Sequence, residues 1–164
     1  EGKVHMGFKI ELRKLWCDIS GILEKRKAQK VWITGHSLGG AMATLCGSRL
    51  EERNPTLYTY GSPKVGGKDW RDGCDVEHYR FQNNNDIVPA VPLWLMGYRH
   101  HGKLQYINYY GNIRKLTVWQ KFKDSMRGRW KALKKFQLFD GIYDHNITLY
   151  SDKLLQLWNV KCGK

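Results

Sequence analysis

Phe8, Leu12, Leu15, Ile19, Ile22 and Leu23 recur at three- and four-residue steps, a period that predicts an amphipathic helix over residues 7 to 27. The pattern then changes. Val31-Trp32-Ile33-Thr34 is a short apolar run without helical period and reads as a strand, and the helix-prone run from Ala41 to Arg53 ends near Asn54-Pro55. Leu57-Tyr58-Thr59-Tyr60 reads as a second strand, closed by Gly61-Ser62-Pro63. His78-Tyr79-Arg80-Phe81 is a third, running into the polar loop Gln82-Asn83-Asn84-Asn85-Asp86 ahead of Val88-Pro89. Leu104 to Tyr109 alternates weakly and reads as a last strand, with a turn at Gly111-Asn112. Helices interleaved with short strands predict an α/β fold, a mostly parallel sheet with flanking helices. No internal repeat or low-complexity linker divides residues 1–164, so a single domain is expected.

Composition narrows the picture less than the pattern does. The 164 residues suffice for one core but are few for a doubly wound α/β fold, which commonly needs more sheet. Lys and Arg outnumber Asp and Glu by 28 to 15, and the net charge of +13 suits anionic interfaces, acidic substrates or nucleic acid without choosing among them. Cys17, Cys46, Cys74 and Cys162 are widely spaced and match no zinc pattern, which reads as reduced thiols and favours a cytoplasmic or membrane-peripheral setting. No apolar run reaches the length of a membrane span.

Residues 115–136 have a character of their own. Trp119, Phe122, Met126, Trp130, Leu133 and Phe136 form an apolar stripe at helical spacing among Lys115, Lys121, Lys123, Arg127, Arg129, Lys131, Lys134 and Lys135. Such a stripe ordinarily covers the core, with the lysines as a solvated outer face. The alternative is a helix lying on an anionic lipid surface, where each basic residue contributes about 1 kcal/mol. No nucleic-acid-binding signature accompanies the charge, and no specific nucleic-acid partner is expected.

The chemistry concentrates in Gly35-His36-Ser37-Leu38-Gly39-Gly40, between the first strand and the following helix. At a strand-to-helix turn of this kind a serine is held in a strained backbone conformation with its hydroxyl raised above the sheet, which makes Ser37 a candidate nucleophile. Gly35 and Gly39, two residues to either side, are expected to be glycine because a Cβ would collide as the helix folds back. The helix begins directly behind Ser37, so the backbone N–H of Leu38 faces any oxyanion formed there.

A serine hydroxyl needs a base, and the base needs an orienting carboxylate. In α/β-hydrolases these follow in the order Ser, Asp or Glu, His, which Asp86 and His145 satisfy. Asp86 stands in a loop just after a strand, and its competing reading is an Asx turn. His145 follows Gly141-Ile142-Tyr143-Asp144 on a late loop. Among its rivals, His36 is tied to the elbow, His5 and His78 precede Asp86, and His100 and His101 follow it closely. Neither a metal nor an organic cofactor is required.

Taken together, these segments resemble the lipase class 3 family, the fungal-lipase-like α/β-hydrolases. Beyond the elbow, Val4-His5-x-Gly7-Phe8 is similar to the family's entry into the helix before the nucleophile strand. Thr59 to Gly66 resembles its T-x-G-x-P-[RK]-V-G segment, and Asn83 to Pro89 its N-x-x-D-x-V-P loop. Tyr98-Arg99-His100-His101-Gly102 resembles its Y-x-H-x-G turn, which implies a structural role for His100. Asp144-His145 with Tyr150 resembles the family's end carrying the catalytic histidine. The resemblance implies hydrolysis of lipid or other carboxylic esters by Ser37, His145 and Asp86. The family's earlier strands, lid and Gly-Thr/Ser oxyanion segment have no counterpart before Val4, so a truncated or degenerate relative is expected. The strand at 31–35 would lack a neighbour on one side, inviting self-association. The rival reading is a non-catalytic basic domain that keeps the scaffold and binds anionic lipid surfaces or other acidic partners.

Overall fold

The computed structural model describes residues 2–26, 30–113 and 143–163. The basic stretch at 115–136 lies outside them. Helix α1 (Met6–Arg26) leads to strand β1 (Trp32–His36), helix α2 (Leu38–Arg49) and strand β2 (Thr56–Tyr60). A short helix α3 (Lys68–Asp72) precedes strand β3 (Glu77–Asn83), and strand β4 (Lys103–Ile107) and helix α4 (Ile147–Cys162) follow. The four strands form one sheet in the order β1-β2-β3-β4, and every pairing is parallel.

Parallel pairing decides where function can sit, because it brings the carboxyl ends of all four strands to one rim. The register aligns His36 with Tyr60 and Tyr60 with Phe81, and Phe81 in turn with Gln105. The ladder continues one step past the strands, Ser37 N–H donating to Tyr60 O and Gly61 N–H to Phe81 O, each at 3.0 Å. Loops leaving β1, β2 and β3 therefore start side by side. Among the described residues β1 pairs only with β2, which leaves its other edge open.

One face of the sheet is covered by α2, which in turn packs on α1. Leu12, Ala41, Leu45, Cys46, Leu50 and Val65 are the buried centre, with Phe8, Trp16, Ile19 and Leu23 packed around them. The predicted stripe of α1 thus needs one correction. Leu15 and Ile22 are exposed, and Trp16 takes the core-facing place between Leu12 and Ile19. The remaining spacing is the 4-4-3-4 step of a single face.

The helix after the elbow also differs from its sequence pattern. It starts at Leu38, directly behind Ser37 as expected, but ends at Arg49, with Glu51–Arg53 forming a separate 3-10 turn. Asn54 closes that turn in the left-handed conformation that asparagine tolerates. Strand β3 runs through Gln82 and Asn83, which polarity alone assigns to the loop. Asn83 is fully buried, and its polar side chain is satisfied by Asp144 O and Lys153 Nζ, so burial carries no unpaired amide. Strand β4 stops at Ile107 rather than Tyr109, because Asn108 Oδ1 accepts the N–H groups of Tyr110 and Asn112 and turns the chain. All four cysteines are free. Among the described residues no helix is long and apolar enough to cross a membrane.

Candidate active site

Ser37 stands between β1 and α2 with φ 57° and ψ −126°, a region that side-chain-bearing residues rarely occupy. Its surroundings impose that conformation. A Cβ on Gly35 would lie 2.3 Å from Gly39 O, so only glycine lets the first turn of α2 fold against the strand. The second crowded position is Gly40, where a Cβ would lie 2.8 Å from Ser62 Cβ. Gly39, expected to be crowded, is not, since a Cβ there meets nothing within 4 Å. The space between helix and strand is filled by the Gly35–Gly40 side of the turn, and Gly39 points away from it. Leu38 opens α2, and the first amides of an α-helix have no intrahelical acceptor.

His145 reaches this turn because the loop before α4 is sutured to the loop after β3. Asp144 Oδ2 accepts from Asn84 Nδ2 at 3.1 Å and from the Asn85 amide at 3.0 Å, while Asn83 Nδ2 donates to Asp144 O at 2.9 Å. Asn146 then caps α4, accepting the Thr148 amide. Held from both sides, the imidazole places Nε2 2.7 Å from Ser37 Oγ and Nδ1 3.0 Å from both carboxylate oxygens of Asp86. The Asp86 side chain is fully buried.

The Asp86 carboxylate makes two kinds of contact. Oδ1 accepts the Val88 amide at 2.9 Å, closing an Asx turn, and the same carboxylate meets His145. Tyr150 supplies a further donor, its hydroxyl 2.5 Å from Asp86 Oδ2, while accepting the Asn83 amide at 3.0 Å. Burial, followed by the charge of Asp86 and the hydrogen bond to it, raises the Tyr150 phenol above its ordinary range and keeps it a donor.

The remaining histidines have partners of other kinds. His36 donates from Nε2 to His145 O at 2.7 Å, and burial lowers its proton affinity. His5 stacks on Phe8. His78 bonds Thr59 Oγ1 and approaches His101, whose Nε2 meets Cys74 O. His100 donates from Nε2 to Pro89 O at 2.7 Å, in the loop that follows Asp86. Sequence order brings out Ser37, Asp86 and His145, but it gives no sign of the Asp144 suture or of the contacts made by His36 and Tyr150. Only the polarity of Asn83-Asn84-Asn85 marks that loop as one with bonds to place.

A hydroxyl, an imidazole and a buried carboxylate in a hydrogen-bonded line form the kind of constellation that acyl transfer uses. The sequence model of the family described as lipase (class 3) matches residues 1–96. The chain belongs to this family. The match to the lipase (class 3) model contains Ser37 and Asp86, and His145 lies beyond it. The chain is 34% identical over 119 residues to a lipase of Rhizomucor miehei, covering 64% of this chain and 33% of that protein. It is 29% identical over 157 residues to a secreted mono- and diacylglycerol lipase of Malassezia globosa, covering 87% of this chain and 51% of that protein. Among solved structures, the lipase of Rhizopus microsporus var. chinensis aligns with a TM-score of 0.58 at 36% identity, covering 65% of this chain and 42% of that one. A triacylglycerol lipase whose catalytic centre is a serine protease triad aligns with a TM-score of 0.57 at 32% identity, covering 63% and 44%. The matched stretch thus spans about a third of the first curated relatives, and the fold is that of part of an α/β-hydrolase.

Proposed function

We propose that the chain carries the catalytic apparatus of a serine carboxylic-ester hydrolase acting on lipid esters. The observation that carries the reading is the unbroken hydrogen-bonded line from Ser37 Oγ through His145 to the buried Asp86. His145 Nε2 takes the Ser37 proton as Oγ attacks the ester carbonyl carbon, and the charge passes to the carbonyl oxygen, where the Leu38 N–H faces it. Asp86 accepts from Nδ1–H, fixes the tautomer that leaves Nε2 free, and stabilises the imidazolium. As the C–O bond breaks, His145 returns the proton to the departing alcohol and an acyl-serine remains. Water then repeats the sequence, yielding the carboxylic acid and free Ser37.

Lipid esters are the substrate class in keeping with the named relatives, which are lipases. The basic residues between 115 and 136 suit an anionic lipid surface as the place of encounter, with phospholipid preferred over neutral fat. The open edge of β1, where Trp32 is exposed, suits pairing with a second chain. The test is release of p-nitrophenol from a short-chain acyl ester, with labelling by a fluorophosphonate probe. Ser37→Ala is expected to abolish both. A folded parent protein that neither turns over the ester nor takes the label would instead favour a non-catalytic binding domain.

A further inference from the structure

His36 occupies the last position of β1, one residue before the nucleophile, and has two separate contacts with the base. Its Nε2 lies 2.7 Å from His145 O. Its ring stacks on the His145 imidazole with centroids 4.5 Å apart and planes at 29°. The far side of the sandwich is Tyr150, edge-on to His36 at 5.9 Å and 67°. We propose that His36 is a positioning residue that holds the His145 imidazole in line with Ser37, gripping it by main chain and ring face together.

The geometry divides the work between two neighbours. Asp86 grips the ring at its Nδ1 edge, a contact that limits how far the imidazole swings but leaves it free to tilt. A flat partner on the ring face removes the tilt. The bond to His145 O, meanwhile, ties the loop before α4 to the strand that carries Ser37, so nucleophile and base share one anchor point two residues wide. A carbonyl only accepts, so the proton of neutral His36 resides on Nε2. Burial disfavours a second proton on His36, which keeps an uncharged ring against His145 when the latter becomes imidazolium.

This inference rests on the hydrolase reading, and its test separates the two. In the full chain, steady-state hydrolysis of p-nitrophenyl butyrate is compared for the parent, His36→Ala and His36→Gln, whose amide nitrogen reaches where Nε2 stood. His36→Ala is expected to lower kcat about tenfold with KM changed by less than about twofold, and His36→Gln to recover about threefold or more of that loss. A second readout needs no turnover. The low-field proton resonance of His145 Nδ1–H is expected to be sharp in the parent and in His36→Gln, and broadened in His36→Ala protein whose circular dichroism is unchanged. A His36→Ala protein that keeps both its kcat and a sharp resonance overturns the proposal, as does a Gln variant no better than Ala. A parent that hydrolyses no ester counts against the hydrolase reading alone, and the resonance then decides the role of His36.

Discussion

Tyr150 and Asp86 share the shortest of the bonds around the candidate triad, the tyrosine hydroxyl standing 2.5 Å from Oδ2 at the fully buried start of the polar line. The same oxygen takes the Asn83 amide, so it joins the end of β3 to the carboxylate that faces His145. A buried hydroxyl with a partner on each side is structural and electrostatic together. It lends a donor to the same Asp86 oxygen that stands 3.0 Å from His145 Nδ1.

Tyr150→Phe removes that hydroxyl with little change in volume, strands the Asn83 amide and takes one of its donors from the Asp86 carboxylate. The expected cost is about 1–3 kcal/mol of stability, from the desolvated groups it strands. Turnover of a p-nitrophenyl ester is expected to fall about tenfold as Asp86 loses one of the bonds that fix it. Urea denaturation and kcat of the variant check the two effects. A variant equal to the parent in both would show that the Asn83 and Asp86 groups find other partners.

Gly61, directly after β2, is the tightest point of the site on the other side. Its φ is +56°, and a Cβ there would lie 2.6 Å from Asp86 Oδ2 and 2.9 Å from His145 Nδ1, between the two groups that must touch. Gly61→Ala is therefore expected to push carboxylate and imidazole apart, with a loss of about a hundredfold in kcat for a displacement near 1 Å. The variant's thermal unfolding, measured beside its kinetics, is expected to fall as well, since alanine is strained at positive φ. Parent-like kinetics would mean that the His145–Asp86 contact is not needed for turnover.

The elbow glycines separate by the same test. Gly39→Ala introduces a methyl group into open space on the first turn of α2, where alanine is the better helix former by up to about 1 kcal/mol, so stability is expected to hold or rise. Gly35→Ala drives its methyl group into the Gly39 carbonyl and is expected to prevent the strand-to-helix turn from closing. Thermal unfolding of the two variants in parallel reads the difference. Equal destabilisation would contradict the packing described at this turn.

How much of this was legible beforehand depends on the distance along the chain over which each feature is set. The elbow is local, with strand, glycines, serine and helix within about two turns of chain, and the sequence pattern carries it. The pairing of Ser37 with His145 spans 108 residues, and only the fixed order of a Ser, an Asp and a His in α/β-hydrolases brings it out. Tyr150 with Asp86 and His36 with His145 span 64 and 109 residues, and no periodicity encodes contacts of that kind. The stripe of α1 shows the limit of periodicity itself. Leu15 and Trp16 are both apolar, and which of them joins the buried cluster is decided by packing against α2. Asn83 reads as loop because it is polar, and it is strand because Asp144 and Lys153 satisfy it after the chain has folded.

Stability against acid follows from His78 and His100, which lie on and beside β3 away from Ser37. Burial comes first in lowering His78, followed by the charges of His101 and Arg80, and its pKa is brought from 6.5 to about 3. Burial also leads for His100, with Arg80 next, again to about 3. Both folded values lie below the unfolded one, so above pH 6.5 each ring is neutral in either state and the fold bears no penalty. As the pH falls below 6.5 the unfolded chain binds protons that the folded chain refuses, and stability drops until the pH nears 3. Each histidine contributes up to about 1.4 kcal/mol per pH unit to that slope. Urea midpoints taken from about pH 7 down to about pH 4 are expected to trace the fall. His100→Gln, whose amide can still donate to Pro89 O, is expected to flatten the slope by one histidine's share while leaving the neutral-pH value nearly unchanged. An equally steep slope in that variant would mean that His100 takes up its proton without unfolding, and that its burial beneath the Asp86 loop is not what excludes the charge.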